Sequence, residues 1–116
     1  MKIAIDAMGG DFGPIVTVEG ASRALEVHDD LEIEVYGLED KTLPYLKKFG
    51  LVKNNHVHFY HCPEIVKMDD KPAIALRTKK KSSMRQAVDS VKFAKTEACV
   101  SAGNTGALLG MARFVL

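Results

Sequence analysis

Tryptophan is absent from this sequence, and its 116 residues include only two cysteines and four prolines. Cys62 and Cys99 lie far apart and belong to no spaced motif. That pattern fits reduced thiols in a cytoplasmic protein and gives no disulfide framework. No run of 18 apolar residues occurs, so the sequence contains no membrane span. Asp6 and Asp11 interrupt the start, which excludes a secretory leader there. The net charge is only +1, too small to pull the whole molecule toward nucleic acid or membrane.

What is present is a balanced globular composition, 47% hydrophobic and 27% charged. That is enough for one modest domain with an apolar core. We read residues 1–116 as a single α/β unit, without repeats or linkers. The charge is uneven. Lys67 to Arg85 holds seven basic residues against two acidic ones (Asp69 and Asp70), a local +5 inside a chain of +1. Such a patch can gather a small anion or an acidic partner.

Strands and helices alternate. Lys2 to Ala7 suits a buried strand, and Pro14 suits the first turn of a helix running Ile15 to His28. Leu31 to Leu38 alternates Leu, Ile and Val with Glu32 and Glu34, which predicts a strand with one wet face, at an edge. Pro44 to Phe49 reads as a short helix closed by Gly50, and His56 to His61 as a third strand. A helical turn over Pro72–Arg77 and a loop at Lys79–Ser82 follow. Ser83 and Gln86 fit a capping box for a helix running to about Thr96. Ala98 to Ala102 is a fourth strand, Gly103 to Gly106 a tight turn, and Ala107 onward a helix apolar on every face. Such a helix is normally covered, so we expect the parent chain to continue or a partner to pack there. The order predicts a mostly parallel sheet between helices on both faces, a three-layer αβα fold.

Two glycine-rich segments end strands and begin helices. One is Asp6-Ala7-Met8-Gly9-Gly10-Asp11, the other Ser101-Ala102-Gly103-Asn104-Thr105-Gly106. In doubly wound sheets ligands bind outside the carboxyl ends of strands. Glycine lets main-chain N–H groups approach a ligand, and a helix start favours an anion. Ser101, Asn104 and Thr105 add side-chain donors, so the pair suits phosphate. A plain strand-to-helix turn accounts equally well for either segment alone. Neither matches a dinucleotide fingerprint or a P-loop.

Arg77 could grip an oxyanion with its planar fork. Ser83 could cap its helix or donate to a phosphate oxygen. Asp6 and Asp11 could orient donors or position a substrate hydroxyl, and Asp6, at a strand end, could instead bond the turn backbone. Lys79, Lys80 and Lys81 read as a solvated loop. His56 and His58 share a strand face while His61 points away, so we expect no metal site. No Ser-His-Asp or Cys-His set can be assembled.

Asp6 to Asp11 followed by Pro14 resembles the opening signature of the PlsX phosphate acyltransferases. Val100 to Leu108 resembles that family's second signature. Ala75-Leu76-Arg77 and Ser82-Ser83-Met84-Arg85 resemble its Arg-and-Ser segment, so the resemblance spans the whole chain. Gly13 and the long lysine run are small departures. The resemblance implies a fold like isocitrate and isopropylmalate dehydrogenases, and a longer protein whose second half completes a cleft. It implies transfer of a fatty acyl group from acyl carrier protein to inorganic phosphate, without a cofactor. It further implies a homodimer, and peripheral membrane association through segments beyond this chain. Under that reading Asn104 and Thr105, with the backbone of Gly103 to Gly106, hold phosphate. Arg77 and Ser83 assist, Gly9, Gly10 and Asp11 shape the opposite wall, and neither cysteine is a nucleophile. The basic stretch would meet the acidic carrier, and the isolated chain is expected to be inactive. The rival readings are a phosphotransacetylase-like enzyme using coenzyme A thioesters, and a non-catalytic phosphate- or nucleotide-binding module.

Overall fold

The computed structural model describes all 116 residues. The elements are β1 (Lys2–Asp6), α1 (Pro14–Val27), β2 (Glu32–Gly37), α2 (Glu39–Lys48), β3 (Val57–His61), α3 (Pro72–Thr78), α4 (Ser83–Lys92), β4 (Ala98–Val100) and α5 (Thr105–Val115). The four strands form one sheet in the order β3-β2-β1-β4, every pair parallel. Right-handed crossovers explain the layers. Stepping one way from β1 to β2 to β3 puts α1 and α2 on one face. Returning past β1 to β4 puts the intervening helices on the other. The result is three layers, αβα, as the alternation of elements predicts.

The two faces of β1 show the period of two. Ala7 packs with Val18 and Ala21 of α1, Ile33 and Val35 of β2, and Leu46 of α2, with Ile3 and Ile5 beside them. Ala4 packs on the opposite face with Tyr36, Cys62 and Ala87. A third cluster joins Met84 and Val88 of α4 to Ala75 of α3 and to Ala107, Met111 and Val115 of α5.

The structure corrects several expectations. β2 is not an edge strand; it lies between β1 and β3. Its Glu34 is only 3% exposed. The buried carboxylate accepts a 2.6 Å hydrogen bond from the Tyr36 hydroxyl and lies 4.0 Å from the Lys2 ammonium. Burial and that acidic neighbour push the Tyr36 phenol up from its ordinary value. α2 starts at Glu39 and carries Pro44 inside it. Glu39 and Asp40 at its start, and Lys47 and Lys48 at its end, complement the helix dipole and offset the lost Pro44 hydrogen bond.

α4 is capped by Ser82, whose hydroxyl accepts from the Arg85 amide, and not by Ser83. It stops at Lys92, beyond which Ala94 takes a left-handed φ of 57°. α5 buries only the stripe Ala107, Met111 and Val115 and leaves Leu109 and Phe114 exposed.

Candidate functional site

Because β1 and β4 are parallel neighbours, with Ile5 opposite Val100, the turns that follow them leave the sheet at the same rim. The two turns touch. A Cβ placed on Gly9 would lie 2.7 Å from the Gly103 nitrogen and 3.0 Å from the Ser101 hydroxyl. Glycine at position 9 is therefore a packing requirement between two backbones. Gly10, at φ 90°, needs glycine for its conformation.

Asp6 is the centre of this junction. It is 2% exposed. One carboxylate oxygen accepts from the Ser83 hydroxyl at 2.6 Å and the Met8 amide at 3.1 Å. The other accepts from the Ser101 hydroxyl at 2.8 Å, and Ser101 in turn accepts from the Gly103 amide at 3.1 Å. One carboxylate thus ties the first turn, the head of α4 and the end of β4 together. Asp6 bonds the turn backbone at Met8 and also orients two hydroxyls, whereas Ser83 neither caps α4 nor faces the rim with a free hydroxyl: it donates to Asp6. The Thr17 hydroxyl adds a bond to the Ala7 carbonyl at 2.9 Å, anchoring α1 to the same rim.

The main-chain N–H groups of Gly9, Gly10, Thr105 and Gly106 find no acceptor within the chain. Those of Met8, Gly103 and Ala107 are taken by Asp6, Ser101 and Asn104. The head of α1 has no side-chain cap. Two helix starts and four unspent amides therefore meet at one edge, the arrangement that attracts an anion. At this rim Gly9 and Gly103 are buried against each other, while Asp11, Thr105 and Gly106 are exposed. A cavity of about 340 Å³ lies elsewhere, lined by Leu76 of α3, by α4 and by the end of α5.

The remaining candidates divide. Asn104 is 7% exposed and its amide is fully engaged. Its oxygen accepts from the Ala107 amide, and its nitrogen donates to the carbonyls of Lys67, Met68 and Asp70. Thr105 and Asp11 are exposed at the rim. Arg77 is exposed in the last turn of α3, about 8 Å of helix rise beyond Pro72. A Cβ on Gly106 would meet the Pro72 ring at 2.7 Å, so this glycine admits the start of α3.

Lys79 departs from the solvated-loop expectation. Its ammonium donates to the Ile65 carbonyl at 2.9 Å and pairs with Asp70 at 3.5 Å. Lys80 and Lys81 remain exposed. A hydrogen bond from the Lys67 amide, helped by Lys79, holds the Asp70 carboxyl below its ordinary value.

Among the histidines, His58 lies 3.9 Å from Glu32 and His61 accepts from the Glu39 amide. No three His, Cys, Asp or Glu side chains cluster as a metal site would require. Burial, with Asp6 nearby, pushes the Cys62 thiol up to about 12 and also raises Cys99. Neither is a ready thiolate. Sequence reasoning took residues 67–71 only as the head of a basic stretch and gave no sign that this segment crosses the start of α5.

The family described as "Fatty acid synthesis protein" matches residues 1–116. The chain belongs to that family. Among its relatives, the phosphate acyltransferase of Shewanella amazonensis is 47% identical over all of this chain and 34% of its own length. The phosphate acyltransferase of Legionella pneumophila (strain Paris) shows the same identity and coverage. The chain thus spans about a third of the length of these curated family members. No helix is long and apolar enough to cross a membrane.

Proposed function

We propose that this chain is the phosphate-holding part of an acyltransferase that moves a fatty acyl group from acyl carrier protein to inorganic phosphate. The observation that carries the reading is the pair of interlocked turns with four unspent amides, in a family whose relatives bear the name phosphate acyltransferase. Phosphate is largely dianionic near neutral pH and needs little help from a base. A phosphate oxygen attacks the thioester carbonyl, the C–O bond forms, the C–S bond breaks, and the carrier leaves as thiolate that takes a proton. The protein's task is to hold the dianion in line and supply donors to developing charge. The amides of Gly9, Gly10, Thr105 and Gly106 serve as those donors, with the Thr105 hydroxyl beside them. Asp6, Ser83 and Ser101 set the spacing of the two turns from behind. Asp11 lines the opposite wall.

Arg77, exposed and free of any ion pair, lends a bidentate grip to the oxyanion. Arg77→Ala in the full-length protein should raise the phosphate KM, and unchanged kcat and KM would remove it from the site. Exposed Lys80 and Lys81 meet the acidic carrier. Their reversal to Glu should slow association most at low salt.

The reading is tested by assaying acyl-phosphate formation from phosphate in the full-length protein, with acyl carrier protein and coenzyme A thioesters side by side. Turnover with the carrier thioester supports it. Turnover confined to coenzyme A thioesters favours a phosphotransacetylase-like enzyme, and turnover with neither leaves a phosphate-binding module.

A further inference from the structure

Asn104 carries both halves of an amide in opposite directions. Its oxygen accepts from the Ala107 amide at 3.1 Å, capping α5. Its nitrogen faces the carbonyls of Asp70, Lys67 and Met68 at 2.8, 3.2 and 3.4 Å. The partners fix the orientation: exchanging the amide's two ends would set N–H against N–H and oxygen against three carbonyls. No hydrogen remains for a substrate oxygen. A second, independent contact joins the same parts, since Pro72 rests where Gly106 lacks a side chain.

We propose that Asn104 is a positioning residue: it latches the 67–72 segment onto the first turn of α5 and thereby holds the amides of Thr105 and Gly106 open to phosphate. The proposal rests on the phosphate-holding reading above and deepens it. Left bare, the three carbonyl dipoles would present their negative ends to the helix start that must receive an anion. The Asn104 amide covers them and keeps the segment seated. Capping alone needs only a short acceptor, which Ser or Asp supplies equally well. Selecting Asn for both tasks is what distinguishes a latch from a cap.

The test uses Asn104→Ser and Asn104→Asp in the full-length protein. Both keep a cap and lose the amide's two N–H donors to residues 67–70, and Ser does so without adding charge. Hydrogen exchange of residues 67–71 should accelerate, and trypsin should cut after Lys67. Phosphate affinity and the phosphate KM should weaken by about tenfold in both variants, while the acyl-thioester KM stays within about twofold. Unchanged exchange at 67–71 would overturn the latch, even if phosphate binding weakened, because Asn104 would then act by touching phosphate. Faster exchange with unchanged phosphate affinity would overturn its role at the site. If a variant fails to fold, Gly106→Ala lifts Pro72 without altering Asn104 and should give the same exchange readout. A wild type that binds phosphate but forms no acyl phosphate refutes only the acyltransferase reading, because exchange and phosphate affinity still judge the latch.

Discussion

Asp6→Ala leaves the buried Ser83 hydroxyl and the half-buried Ser101 hydroxyl without their acceptor. The cost should be roughly 1–3 kcal/mol for each group left unpaired, measured by urea unfolding. Asp6→Asn should cost less, because Ser83 can keep donating to the amide oxygen while the Ser101 hydroxyl rotates to accept from the amide nitrogen. Glycines separate just as sharply. Gly9→Ala drives a methyl into the Gly103 backbone and should abolish phosphate binding, read by calorimetry. Gly110→Ala meets nothing within 4 Å and should stabilise the chain by about 1 kcal/mol through helix propensity alone. From sequence, Gly9 and Gly110 are both single letters in glycine-containing stretches. Only the neighbouring backbone tells them apart. Asp6 and Ser83 were legible as polar residues near the rim, but that they would satisfy each other across 77 positions was not.

Secondary structure was easier to read than its edges. The parallel sheet follows from strand–helix alternation, which local pattern records directly. β2 was misplaced because Glu32 and Glu34 imitate a wet face, whereas Tyr36 and Lys2 partner Glu34 inside. Ser82 and Ser83 stand side by side, and either could cap. The bond from Ser83 to Asp6 decides it, leaving the cap to Ser82. Ser82→Ala should therefore lower stability by about 1 kcal/mol in thermal unfolding, as loss of a helix cap does. The 67–72 segment was illegible because its bonds to Asn104 use main-chain carbonyls, which every residue has.

At the scale of the molecule, the deeply buried thiol predicts alkaline fragility. Cys62 is fully buried, and its ordinary value of 9.0 rises to about 12 in the fold. The folded chain keeps that proton longer than the unfolded chain. Its contribution is therefore complete below pH 9 and drains away as pH climbs toward 12. Unfolding free energy measured across that range should fall, and Cys62→Ala should flatten the slope after correction for its lost volume.

The central place of β1 has a consequence for synthesis. β1 emerges first, and β2 and β3 can pair along one side of it as they follow. Its other side stays bare until β4 arrives, since of the four strands only β4 pairs there. Gly9 then waits 94 positions for Gly103, which at roughly 5–20 residues per second is about 5–20 s on the ribosome. Throughout that interval the nascent protein carries an unpaired strand edge, so translation speed through residues 60–100 sets how long newly made chains stay vulnerable to aggregation.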